Sequence, residues 1–270
     1  MEIIPIMSSY VVLGIFAGVI AGLLGVGGGL IIVPILVSLF VLQGFPSPVI
    51  MQLAVGTSLA TIVFTSLSSM RAHHRRGAVN WPVMVQLSMG VVVGAWLGGV
   101  LAEWMGGLLL AALFGLFELA VAGQMAFGRP PAPHRVTPGR LRNVVAGVVI
   151  GAVSALLGIG GGTLTVPYLV WHNVDVRQAV GTSAACGLPI ALIGALGFAL
   201  VGWNVGALPP GSTGYVYWPA VVAISIASVA SAPLGARLAH RLPQKNLKMV
   251  FAGFIGLLGL WMLFKSLPGL

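Results

Sequence analysis

Charge is what this chain has least of. Only four of its 270 residues are acidic against thirteen Lys and Arg, and charged residues make up 6% of the whole while hydrophobic ones make up 58%. So few polar side chains cannot cover a water-soluble globule of this size, and apolar stretches recur almost end to end. A soluble domain on a single anchor is therefore excluded, and a multi-span membrane protein is implied. Cysteine is nearly absent too: Cys186 stands alone in an apolar run, which rules out an intrachain disulfide and reads as a small packing residue. The opening "MEIIPIMSSY" has neither a basic leader nor a small-residue cleavage site, so no cleaved signal peptide is expected. The net charge of +9 does not point to nucleic acid, because the basic residues are scattered over short loops, where orientation in a membrane explains them.

The reactive side chains needed for catalysis are missing as well. No pair of metal ligands is spaced for a site, and the span serines have no His or carboxylate partner, so no catalytic residue, metal, cofactor or enzyme activity is expected. The five histidines, His73, His74, His134, His172 and His240, fall in or beside basic loops and read as loop residues rather than ligands.

Glycine, by contrast, is abundant and clustered. "GLLGVGGGLIIVP" from Gly22 to Pro34 places glycines where everything around them asks for a helix, and "LLGIGGGTLTVP" repeats the pattern 133 residues later. Over Gly14–Pro34 and Gly147–Pro167, ten of 21 positions are identical. "AVGTS" occurs at Ala54–Ser58 and again at Ala179–Ser183. Trp81-Pro82 matches Trp218-Pro219, and "LGGVLA" from Leu97 matches "LGARLA" from Leu234. The chain is thus read as two copies of one unit, 1–127 and 143–270, joined by a basic linker at 128–142. The Trp-Pro pairs read as helix starts with an interfacial anchor.

The apolar stretches flanking each cluster are short, which leaves some of them unable to cross about 30 Å of hydrocarbon, and they look like half-helices. A cluster that kinks one span leaves the copies parallel; a cluster that reverses the chain inverts the second copy. Under reversal, twelve of the thirteen Lys and Arg share one face, all but Lys265, so the positive-inside rule favours inverted repeats. The expected fold is an all-α membrane protein of two inverted repeats, each a glycine-broken re-entrant or short helix pair plus three full transmembrane helices. Its basic loops are expected to be cytoplasmic and both termini periplasmic.

Backbone freed by a reversal in lipid persists only under protein cover or beside a water-filled cavity. The helices that begin after Gly29 and Gly162 offer unpaired N–H groups and about half a positive charge each, which suits an anion. Candidate ligand residues are Gly27, Gly28, Gly29, Gly160, Gly161 and Gly162, with hydroxyls from Thr57, Ser58, Thr182 and Ser183. Gly14, Gly18, Gly22, Gly147 and Gly151 follow a spacing of four that suits close helix packing. The triple glycine is not a dinucleotide fingerprint, because Leu30 and Thr163 replace its last glycine and no strand precedes it. Glu118 is the single acidic residue deep in a span. It reads either as a proton-coupling site or as a carboxyl at a bundle contact.

The doubled "GxGGGxxxxP" segments, each followed by "AVGTS" and a "PLGARLA"-like helix, resemble the sulfite exporter TauE/SafE family over nearly the whole chain. By that resemblance Gly25 to Gly29, Pro34, Gly158 to Gly162 and Pro167 carry the signature. The "PLG" of the second copy is "WLG" at Trp96–Gly98 in the first. Similarity to this family implies transport of small sulfur-containing anions, such as sulfite, thiosulfate or sulfonates, across the bacterial inner membrane. The partners expected are that anion, the bilayer and possible further copies of the chain in a homo-oligomer. The alternatives are a passive anion channel, a carrier of another small anion, or a non-transporting assembly or scaffold protein.

Overall fold

A computed structural model describes residues 3–24, 28–128, 139–239 and 244–266. Gly25, Gly27, His134, His240 and most of the linker lie outside the described residues, and so do the side chains of 235–248. Ten helices are described: α1 (Ile3–Leu24), α2 (Gly29–Leu42), α3 (Ser47–Arg75), α4 (Trp81–Trp104), α5 (Gly106–Phe127), α6 (Arg140–Leu157), α7 (Gly162–Trp171), α8 (Val176–Val201), α9 (Trp218–Ala239) and α10 (Gln244–Lys265). A two-residue hairpin of β1 (Ser212–Thr213) and β2 (Val216–Tyr217) precedes α9. The all-α membrane fold stands: α3, α4, α5, α6 and α8 are each long and apolar enough to cross a bilayer. Helix α6 opens three residues before the second copy's apolar stretch, because its first turn carries Arg140 and Arg142 out of the apolar zone.

Both Trp-Pro pairs open helices, as the missing proline N–H costs nothing in a first turn. Asn80 caps α4 by accepting from the Val83 amide at 3.3 Å.

The helices pair across the two copies in a two-fold pattern. The first helix of each copy packs on the fourth of the other, α1 on α9 and α6 on α4, while α3 meets α8 and α5 meets α10. The glycine stripes make these crossings close. A Cβ on Gly90, Gly94 or Gly98 would collide with the carbonyl oxygens of Val144, Val148 or Ala152 in α6. Gly147 and Gly151 face α4 in the same way, and Gly14 and Gly18 face α9. This is small-residue packing, with backbones in contact where larger side chains would hold them apart. Helix α3 lies at the centre, with Val49 through Ile62 all buried.

Both glycine segments reverse the chain. Gln43, just past the end of α2, donates its side-chain amide to the Tyr10 hydroxyl near the start of α1 at 2.7 Å. In the second copy the Tyr168 hydroxyl near the end of α7 donates to Asn143 Oδ1 near the start of α6 at 2.8 Å. Tyr10 and Asn143 are 133 residues apart, the offset of the repeat itself. A kinked single span would hold these ends a membrane apart. At 1.5 Å per residue, the 14 residues of α2 and the 10 of α7 reach roughly 21 and 15 Å, about half of a crossing or somewhat more.

Candidate functional site

The two reversals meet. A Cβ on Gly29 would stand 2.6 Å from the Gly158 carbonyl oxygen and 2.8 Å from Ile159 Cα, so the start of α2 lies against the break between α6 and α7. Gly28 and Gly158 take positive φ, 76° and 68°, a region that costs other residues about 1–2 kcal/mol. Pro34 and Pro167 are the sixth residues of α2 and α7 and deprive each helix of one internal hydrogen bond at matching places.

The ends differ in what lines them. Around the first, Leu30, Ile31, Ile32 and Val33 are buried to 1% exposure or less, and Ile62 Cδ1 of α3 closes the remaining side at 3.2 Å from the Gly29 Cβ position. That end is dry. The matching positions of α7 are Thr163, Leu164, Thr165 and Val166, of which all but Thr165 are partly exposed. A Cβ on Gly161 would stand 3.2 Å from Thr165 Oγ1 and 3.6 Å from the Ser183 carbonyl oxygen. From α3, Ser66 Oγ comes within 2.8 Å of a Cβ on Gly187, and the Gly161 amide nitrogen lies 3.9 Å from that same point. The hydroxyls of Thr163, Thr165, Ser183 and Ser154 are buried and have no hydrogen-bond partner among the described residues. The Thr165 hydroxyl beside Gly161, and that of Ser183, whose carbonyl oxygen also lies beside Gly161, are thus buried without partners, an unmet demand for polar contacts next to the opening of α7.

Local chemistry gives the second break its sign. Two carbonyls in the last turn of α6 and one just beyond it are occupied: Ser154 accepts from the Ile159 amide at 2.9 Å, Ala155 from the Gly158 amide at 3.2 Å, and Gly158 from Ser58 Oγ at 2.8 Å. The opening of α7 has no side-chain cap, so its first N–H groups keep their pull on a negative charge. The break is thus partly capped at its negative end and has no side-chain cap at its positive one.

The paired threonines have another task. Thr57 Oγ1 accepts from the Tyr217 amide at 3.0 Å, and Thr182 Oγ1 accepts from the Asn80 amide at 2.9 Å. Each oxygen thereby holds the residue just before a Trp-Pro helix start of the other copy. Gly56 and Gly181 let the loops approach, since a Cβ there would meet the carbonyls of Tyr215 and Ala78. Thr57→Val or Thr182→Val should cost about 1–3 kcal/mol by leaving a buried amide unpaired, read as a lowered unfolding midpoint in detergent and recovered by the Ser variant.

Sequence reasoning missed Ser66, which no motif marks, and Thr163 and Thr165, which the identities around them overshadow. It also treated His172 as a loop residue. His172 lies in the turn just past α7 but is buried there and not solvated, with Nδ1 2.7 Å from the Tyr168 carbonyl oxygen one helical turn back. Glu118 lies fully buried in the contact of α5 with α10, its Cβ 3.0 Å from the Gly259 Cβ position, and neither carboxyl oxygen has a partner among the described residues. No group of three metal-ligating side chains occurs among the described residues.

Comparison with known proteins settles the family. The model of the family described as "Sulfite exporter TauE/SafE" matches residues 10–262. The chain belongs to this family. A probable membrane transporter protein of Haemophilus influenzae is 34% identical over 255 residues, covering 93% of this chain and 96% of the relative. One from Methanocaldococcus jannaschii is 29% identical over 270 residues, covering 97% of each. A third, from Bacillus subtilis, is 24% identical over 277 residues. No solved structure matches. This TauE/SafE protein is accordingly a multi-pass membrane protein of a transporter family, and its matched region takes in both glycine breaks.

Proposed function

We propose that this protein is a secondary carrier of small sulfur-containing anions, such as sulfite, thiosulfate or an organosulfonate, across the bacterial inner membrane. The observation that carries the reading is the second glycine break. There a helix end with no side-chain cap lies beside buried hydroxyls that lack partners, and the opposing helix end is partly capped. Gly160, Gly161 and Gly162 with Thr163, Thr165 and Ser183 hold the anion, Ser66 of the first copy reaches the same space, and Gly28 and Gly29 form the wall behind it. Discontinuous helices meeting between two repeats are the arrangement by which carriers bind ions and rock around them.

The two hairpins support inverted repeats, since a reversal leaves each copy an odd number of crossings. Hydrogen bonds from Trp81 Nε1 to His74, from the Asn80 amide to Thr182 and from Asn143 to Gln86 tie together the helix ends that carry Arg71, Arg75, Arg76, Arg140, Arg142 and Arg177. That end is cytoplasmic by the positive-inside rule, with both termini periplasmic. Single cysteines in "RAHHRRG" should label from the cytoplasm and those in "GALPPGSTG" from outside; the reverse, or labelling from both sides, contradicts the topology.

Purified protein in liposomes, tested with radiolabelled sulfite, thiosulfate and taurine, checks transport itself. Uptake of at least one is expected, and no flux of any small anion would favour a scaffold role. Glu118 is the coupling group, a buried carboxyl with an unfilled need for a partner. Glu118→Gln should therefore abolish stimulation by a pH gradient while leaving downhill exchange. Flux that never depends on a pH gradient, in wild type or variant, would instead indicate a passive channel.

A further inference from the structure

Resting on that reading, we infer that the site selects singly charged anions and discriminates against doubly charged ones of the same size. The inference comes from counting the charge that faces the second break. Helix α7 supplies about half an elementary charge at its opening. The matching end of α2 adds little, because Gly29 is closed off by the Gly158 carbonyl, Ile159 and Ile62. The remaining donors are neutral: the hydroxyls of Thr163 and Thr165 in the first turn of α7 and of Ser183 on α8, none with a partner among the described residues, and Ser66 from α3. Thr165 and Ser183 are at least 99% buried, so these donors act in a poorly solvated space.

The ionised side chains on the flanking helices lie outside the break and are exposed to solvent, which weakens their contribution to that count. On α3 the nearest cation is Arg71, five residues beyond Ser66, and on α8 it is Arg177, six residues before Ser183; both are exposed, roughly 7 and 9 Å farther along their helices. Asp175, exposed beside Arg177, would repel an anion if it acted at all. Helix α6 carries Arg140 and Arg142 in its first turn, both exposed and at the opposite end of α6 from the break. On α7 the titratable group is Tyr168, whose hydroxyl is given to Asn143, with His172 in the turn just past the far end. The remaining titratable group nearby is the Cys186 thiol of α8, buried beside Gly187.

Electrostatics then decides between charge states. The cost of removing an ion from water rises with the square of its charge, whereas its attraction to a fixed set of donors and a helix end rises in proportion. A dianion therefore costs about four times as much to desolvate and recovers about twice as much. Half a charge from α7 leaves a monoanion with about half a charge uncompensated and a dianion with about one and a half, in a low-dielectric site. Ile190, whose Cδ1 stands 2.9 Å from the Gly161 Cβ position, puts an apolar group beside the opening of α7 that suits a methyl or alkyl substituent better than a fourth charged oxygen.

The test is competition in proteoliposomes. Counterflow of radiolabelled sulfite is measured at one pH on both sides, against unlabelled methanesulfonate, a monoanion, or sulfate, a dianion of similar size. Methanesulfonate is expected to halve the flux at a concentration at least about tenfold below that required of sulfate, the ratio that 1.4 kcal/mol produces. Thr163→Lys places a full positive charge in the first turn of α7 and should shift the ratio toward sulfate by at least about tenfold. Equal potency of the two anions in the wild type, or labelled thiosulfate moving while sulfite does not, would overturn the inference and leave the carrier intact. Failure of sulfite, thiosulfate and taurine all to move is the separate result that removes the carrier reading itself.

Discussion

Gly161→Val should reduce anion flux to below about one-hundredth of wild type, a loss of about 2.7 kcal/mol of binding, in protein that still inserts and purifies as a folded species. Gly161 has φ −60° and ψ −11°, so a side chain meets no backbone strain. What it meets is the site: Ile190 Cδ1 at 2.9 Å and Thr165 Oγ1 at 3.2 Å from the new Cβ, with two further methyl groups in the space before the α7 amides. The contacts that hold the hairpin, Tyr168 to Asn143 and Ser58 to Gly158, do not involve Gly161 and should survive. Gly28→Ala is the contrasting variant. Its nearest neighbours lie 3.6 Å away, so positive φ is its main penalty, about 1–2 kcal/mol of stability, with flux largely kept in the molecules that remain folded. Insertion and folding are read by size-exclusion profile in detergent, and flux by liposome uptake. Equal flux in Gly161→Val and wild type would remove the site assignment.

The second large effect falls on stability. Gly94→Leu should unfold or aggregate most of the protein in detergent, because its Cβ would overlap the Val148 carbonyl oxygen and come within 2.9 Å of the Ala152 nitrogen. Those are backbone atoms, which cannot rotate away as a side chain would, so α4 and α6 must separate along a contact that Gly90, Gly98, Gly147 and Gly151 keep equally close. Overpacking of a well-packed core costs typically about 1–3 kcal/mol, and a clash against backbone belongs at or above the upper end. Gly18→Leu is the counterpart at α1 and α9, where the new atom would meet Ser228 and Ser231, and the paired geometry predicts a loss of similar size. A thermal midpoint within a few degrees of wild type for both variants would contradict the close crossings. Gly123→Leu is the control, since nothing lies within 4 Å of its Cβ position.

Much of this architecture is legible in the sequence, and the reasons are local. Glycine clusters repeated at a 133-residue spacing mark both reversals, because repetition separates signal from ordinary small-residue packing, although positive φ falls at Gly28 in the first and at Gly158, a non-equivalent position, in the second. The Trp-Pro helix starts are legible because proline fixes its own φ. The contacts across the repeats are not. Thr57 meets Tyr217 over 160 residues, and nothing in "AVGTS" tells a hydroxyl that accepts from a distant loop amide from one that faces a ligand. The inequality of the glycine ends was written in "LIIV" against "TLTV", yet its meaning depends on Ile62 and Ser66, which reach the two ends from different turns of α3. Packing of a third element decides whether a helix end is sealed by apolar groups or lined by hydroxyls, and that packing has no short-range signature.

The claim at the centre is that an anion occupies the opening of α7 at the second glycine break. It is tested most directly by a structure determined with selenite, whose selenium can be located by anomalous scattering. The account predicts a selenium peak within hydrogen-bonding reach, through its oxygens, of the Gly161 and Gly162 amides and the Thr165 hydroxyl, and loss of that peak in Gly161→Val. Selenite bound only elsewhere, with the second break closed as tightly as the first, would contradict it.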